Sequence, residues 1–279
     1  MNTRTMKTKR LIESAALLAI ATVLSELALV KLPYGGSVTL ASMLPVLLIA
    51  YRYGTPWGLA CGFCYGVVQQ LVGLSTLSFF TTWQSVVAII LLDYLIAFGV
   101  IGVGGLFRRL RGIRQATALA LGALTVCVLR YICHVVSGAT VWAGLSIPTE
   151  AALIYSFAYN ATYMLPETVV TVLLAVYVGR VIDFTAHTLR RMPREENAVQ
   201  GAGLFTLLAG LLLIGGIIFD VVKLAAHLQN AATGAFDIAG LAAAPFAVLW
   251  LPIIIVSGVT FAVAAVLLFF GHRLQRRAK

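Results

Sequence analysis

Arg130, His134, Gly138 and Trp142 recur every fourth residue in this 279-residue chain, and on an α-helix that spacing stacks them along one face. A second cluster, Tyr155 and Asn160, follows within twenty residues, and Asp93-Tyr94 lies upstream. All sit in apolar surroundings, where an imidazole, a guanidinium or an amide is costly unless it lines a pocket or a water-filled path. Tyr94, Trp142 and Tyr155 offer flat faces to a planar or cationic ring, and Asp93 adds a negative charge. Asn160 can donate and accept toward a heteroaromatic edge, while His134 can stack or hydrogen-bond. The ligand these groups fit is small, aromatic, polar and cationic. Enzymatic chemistry is not expected: one histidine among single carboxylates on different helices supplies neither metal-ligand spacing nor an activated nucleophile. No metal and no cofactor is implied. Cys61 and Cys64 match a redox spacing, but with Cys127 and Cys133 they lie in apolar spans and read as small buried hydrophobes.

The elements that must position these groups are membrane helices. The chain is 61% hydrophobic and 11% charged, with a mean hydropathy of +0.97, far from the roughly 25% charged residues of a soluble domain. Eight segments, 11–31, 38–53, 56–75, 84–107, 116–142, 153–182, 202–222 and 245–270, are apolar enough to span, at roughly 20 residues per helix. The expected fold is all-α, a polytopic transmembrane helix bundle in the cell membrane. Of the 20 Lys and Arg, 17 fall before the first segment, after the last, or in or within three residues of the even-numbered gaps. The positive-inside rule then puts both termini in the cytoplasm. The net charge of +10 reflects that orientation, and no nucleic-acid partner follows from it. The basic N-terminus mimics a signal peptide, yet Glu26 and Lys31 stand where small cleavage-site residues would be, so it reads as the first helix.

Topology brings the chemistry to one level. Asp93 lies about ten residues, or about 15 Å, below the outer end of its helix. The next helix rises outward to Trp142 and the following one descends through Tyr155 and Asn160. Asp93, Tyr94, His134, Trp142, Tyr155 and Asn160 therefore share the outer half of the membrane, a convergence expected of a ligand pocket. Glu167, two turns deeper, is expected to pair with Arg130 as the pocket floor, with Arg130–Asp93 as the competing pair. Gly54, Gly58, Gly62 and Gly66 form a small-residue ridge for close helix packing, and Ala15 and Ala19 give the first helix a smooth side. The outer loop from Lys31 to Ser37 reads as a lid or an ordinary turn. A polar linker over 184–200 separates a six-helix substrate-binding unit, 1–183, from a two-helix extension, 201–279. In that extension Asp220 and Lys223 read as an interfacial ion pair.

The run Arg130-Tyr-Ile-Cys-His134-Val-Val-Ser-Gly138-Ala-Thr-Val-Trp142, then Tyr155-Ser-Phe-Ala-Tyr-Asn160 and Tyr163-Met-Leu-Pro-Glu167, resembles the signature of the thiamine-specific S-components of energy-coupling factor transporters. Asp93-Tyr94-Leu-Ile-Ala-Phe98 resembles that family's acidic-Tyr-x-x-Ala-Phe segment. The resemblance covers about residues 10–183 and implies a six-helix unit that binds thiamine from outside. A separate transmembrane coupling protein and two ATPase subunits would drive its release inside. It implies ligand contacts from Asp93, Tyr94, His134, Trp142, Tyr155 and Asn160, and docking on the coupling protein through Ala15 and Ala19. Three departures stand out: Asp93 replaces the usual Glu, Tyr65 aligns with a usual Trp, and Tyr34 takes the place of an outer-loop Trp. No G-x-x-x-x-G-K-[ST] loop is present to use ATP within the chain. The alternative is a self-sufficient proton-coupled carrier of thiamine or a pyrimidine precursor, with Glu167 or Asp93 as proton site.

Overall fold

Helix ends follow local signals. Pro45 and Pro56 each fall in the first turn of a helix, where a missing N–H breaks no intrahelical bond. Gly54, between those two helices, holds φ at +92°, a value that favours glycine. Thr82 caps the next long helix by accepting the Ser85 amide, as N-cap hydroxyls do. The computed structural model describes residues 3–32, 36–110, 112–145, 147–192, 202–228, 240 and 243–277. Tyr34 and residues 193–200 of the expected linker lie outside them.

The chain divides into two compact units, Met1–Arg190 and Arg191–Lys279. In the first unit α1 covers Thr3–Glu26. Strands β1, Ala28–Lys31, and β2, Ser37–Thr39, follow and pair antiparallel, Val30 opposite Val38. Then come α2, Leu44–Tyr53, and α3, Thr55–Val72. The span α4 runs Trp83–Arg109, α5 Gln115–Thr140 and α6 Ala152–Val181. The second unit holds α7, Ala202–Ala225, and α8, Trp250–Arg277.

Four described helices are long and apolar enough to cross a membrane: α4, α5, α6 and Trp250–Gly271 of α8. The expected second span is instead a strand, a turn and the 10-residue α2, about 15 Å long and half of a bilayer core. Every residue of α2 up to Arg52 is buried, so it is a core helix. The end of the expected first span is β1, because residues 28–31 find hydrogen-bond partners in β2 that an extended helix would forgo.

Two helix contacts position the site. The α3 glycines lie directly on the backbone of α4. A Cβ on Gly62 would stand 3.2 Å from the Gly99 Cα, and one on Gly66 2.7 Å from the Tyr94 carbonyl oxygen. Gly54 belongs to the α2–α3 junction and takes no part in that ridge. Within α4, residues Ile90–Ile96 form a π-helical stretch, which widens the turn and re-aims the side chains on it, here Asp93 and Tyr94. The other contact joins α5 to α6, where the Ser156 hydroxyl fills the space left by Gly138 and donates to the Val135 carbonyl at 2.8 Å.

In the second unit Asp220 does not pair with Lys223. Ser257 of α8 donates its hydroxyl to Asp220 Oδ2 at 2.6 Å, and Lys223 lies over the Phe219 ring at 5.9 Å. Helix–helix contact offers the carboxylate a partner on the facing helix, which the local spacing of three did not reveal.

Candidate functional site

Asp93 is the hub. Its carboxylate Oδ1 lies 2.8 Å from His134 Nδ1, and its Oδ2 accepts the Ser137 hydroxyl at 2.8 Å and the Trp142 indole N–H at 3.0 Å. The π-helical turn of α4 thus delivers one carboxylate to three donors at the upper end of α5. Phe80 packs edge-on to Trp142 with ring centroids 4.8 Å apart, and Phe79 stands at 6.1 Å. The indole is therefore held by a charge at its nitrogen and by rings against its face.

Around this hub opens a cavity of about 340 Å³, within the range of small-molecule sites. Asp93, Tyr94, His134, Gly138, Trp142 and Asn160 all line it, with Arg130, Phe98, Tyr163, Gln69 and Thr76. Glu26, Lys31 and Gly36 of the α1–β2 region line its side. The Tyr94 hydroxyl occupies the space a side chain at Gly73 would need. Asn160 turns its amide inward: Nδ2 donates to Ser156 O at 2.8 Å and His134 O at 3.2 Å, and Oδ1 accepts the Tyr163 hydroxyl at 2.5 Å. In this arrangement Asn160 clamps α5 to α6 beside the cavity.

Two expected positions stand elsewhere. Tyr155 packs behind Trp142 in a cluster with Phe80, Ile89 and Ile147 and does not line the cavity. Tyr65 is fully buried, donating its hydroxyl to the Ala21 carbonyl at 3.0 Å with its ring edge-on to Phe98. Tyr34 lies outside the described residues.

Neither expected Arg130 pair forms. Glu167 is buried and spent on the hairpin, accepting the Thr39 amide at 2.5 Å and the Thr39 hydroxyl at 2.7 Å. Asp93 instead meets His134, Ser137 and Trp142. The Arg130 guanidinium lies over the Phe98 ring, 4.2 Å from its centroid, a cation–π contact in place of an ion pair. Arg130 and Glu167 do flank one small polar cavity of about 90 Å³ beneath the main one, with Thr39, Ser42 and Tyr163.

Sequence reasoning missed Ser137, Thr39 and Phe80. Ser137 is three residues from His134 on the face already singled out, a spacing that signals it. Thr39 meets Glu167 across 128 residues, and Phe80 follows a 3-10 turn, Leu74–Phe79, so neither left a local signal. Ala15 and Ala19 lie on the exposed face of α1, beside the exposed Leu11, Ile12, Ile20 and Val23.

A helical membrane bundle that encloses one acidic, aromatic-lined pocket defines a small-molecule binding or transport protein. Residues 11–184 match the family model described as Thiamine transporter protein (Thia_YuaJ), so the chain belongs to that family of thiamine transporters. It is 35% identical over 173 residues to the thiamine transporter ThiT of Bacillus subtilis strain 168, covering 58% of this chain and 85% of that one. A solved structure of ThiT from Listeria monocytogenes shares the fold, with a TM-score of 0.51 and 22% identity over 62% of this chain and 94% of the other. The chain is accordingly a multi-pass thiamine transporter of the cell membrane and not an enzyme.

Proposed function

We propose that this chain is the high-affinity thiamine-binding subunit of an energy-coupling factor uptake transporter. It captures the vitamin in the outer half of the bilayer, with both termini in the cytoplasm, and relies on a separate coupling protein and two ATPase subunits. The observation that supports it best is the convergence of the Asp93 carboxylate with Trp142 and Tyr94 around one cavity. Thiamine is a cationic thiazolium joined to an aminopyrimidine, and a desolvated cation gains most from a fixed negative charge beside aromatic faces. His134, Gly138 and Asn160 complete the wall, and Tyr155 and Tyr65 support it from behind.

Dependence on partners rests on the sequence, which contains no phosphate-binding loop, and on the exposed small-residue face of α1 at Ala15 and Ala19, suited to close helix docking. The test is uptake of labelled thiamine by cells that lack their own thiamine transporter. Cells receive this chain alone, or with a coupling protein and its ATPase pair. Uptake only with the full set, abolished when the ATPase lysine is replaced, supports the proposal. Uptake by the chain alone, collapsing with the proton gradient, would establish a self-sufficient proton-coupled carrier instead.

A further inference from the structure

Ser137 is fully buried and is the donor to Asp93 that no ligand consideration calls for. His134 and Trp142 face the cavity, whereas Ser137 does not line it. Its hydroxyl meets the same carboxylate oxygen, Oδ2, that accepts the Trp142 indole N–H. Its backbone carbonyl accepts the amides of Val141, at 2.7 Å, and Trp142, at 3.2 Å, as α5 ends. One residue therefore touches Trp142 from both ends, through the main chain directly and through Asp93 at the indole nitrogen.

Asp93 itself needs such a tie. It sits on the π-helical stretch of α4, a separate span from α5, and its short side chain must cross to three donors at once. An ionised carboxylate accepts a charge-assisted bond from each and is oriented by all of them. His134 holds Oδ1 and the indole holds Oδ2, and both rings line the cavity where a ligand would contact them. The Ser137 hydroxyl is anchored in the buried α5 backbone.

We propose that Ser137 is a positioning residue for ligand recognition: its hydroxyl fixes the Asp93 carboxylate, and through it the Trp142 indole, at the angle the cation meets. This rests on the thiamine-binding reading for its ligand, but the geometry it invokes exists without ligand. Ser137 acts on the ligand's charge through Asp93, so its loss acts on cationic ligands more than on neutral ones. The loss also adds nothing once Asp93 has been neutralised.

The experiment uses the full chain in detergent as wild type, Ser137→Ala, Ser137→Thr, Asp93→Asn and the Ser137→Ala/Asp93→Asn double variant. Two readouts are taken: calorimetric affinity for thiamine and for its uncharged thiophene isostere, and the ligand-free Trp142 emission, obtained by difference from a Trp142→Phe partner of each protein. Ser137→Ala should weaken thiamine binding about tenfold or more and the neutral isostere at least several-fold less. Its Trp142 emission should shift to that of Asp93→Asn. The double variant should match Asp93→Asn in both readouts, the signature of two residues acting as one unit. Ser137→Thr, which keeps the hydroxyl, should restore the wild-type emission. Equal losses for the two ligands, additive effects in the double variant, or an unshifted emission in Ser137→Ala would each overturn the proposal. If wild type binds no thiamine, the thiamine reading fails, and the ligand-free emission still decides the role of Ser137.

Discussion

Asp93 carries a charge into apolar surroundings and spreads it over three donors, so the site stands preformed around it. Hydrogen bonds to a charged group contribute about 1.5–3 kcal/mol each, and the indole, imidazole and hydroxyl gain fixed orientations in return. A second carboxylate, Asp183, does the same for the chain just past α6. The Thr185 hydroxyl at 2.6 Å, then the amides of Thr185 and Ala186, hold its carboxyl below the ordinary aspartate value. A depressed folded-state value stabilises the fold above the unfolded carboxyl's value of about 3.9, and that stability is lost as pH falls through the folded value. Thermal unfolding of the detergent-purified protein should therefore show Asp183→Asn less stable than wild type near neutral pH. The gap should close under acid conditions, and a gap constant with pH would contradict this account.

Helices place these residues through glycine. Gly66 lets α3 lie against the backbone carbonyl of Tyr94, so the position of the acidic π-helical turn depends on a missing side chain. Gly66→Ala should force α4 outward and cost about 1–3 kcal/mol as an overpacked contact. Calorimetry should then show weaker thiamine binding, whereas Ala at Gly210, which has open space around its Cβ position, should leave binding unchanged. Much of this element scale was legible beforehand. The four-residue spacing from Arg130 to Trp142 and the glycine ridge both depend only on helical periodicity, which local sequence carries. The π-helical register and the β1–β2 hairpin were not legible, because each is settled by long-range partners. Thr39 finds Glu167 across the fold, and that contact took the carboxylate expected to neutralise Arg130.

At the scale of the whole molecule, the first unit carries the family match and the cavity, while the second adds a helix pair held by Asp220 and Ser257. Hydrophobic runs announced that pair as clearly as any other, yet apolar helices built of Leu, Ile, Ala and Gly name no ligand, so its role has no sequence signature. The docking role proposed for α1 rests on the exposed Ala15 and Ala19. Ala19→Trp should leave thiamine affinity intact and abolish uptake with the coupling partners, since a large ring blocks close helix approach. Equal damage to binding and uptake would remove α1 from the docking role. The central claim is that thiamine is held between Asp93 and Trp142, and calorimetric titration of thiamine into the purified wild type and Trp142→Ala tests it most directly. The account predicts tight saturable binding by the wild type and a loss of about 1–3 kcal/mol in the variant, the range for desolvated cation–aromatic contacts and hydrogen bonds to charge. Absence of saturable binding, or unchanged affinity in Trp142→Ala, would contradict it.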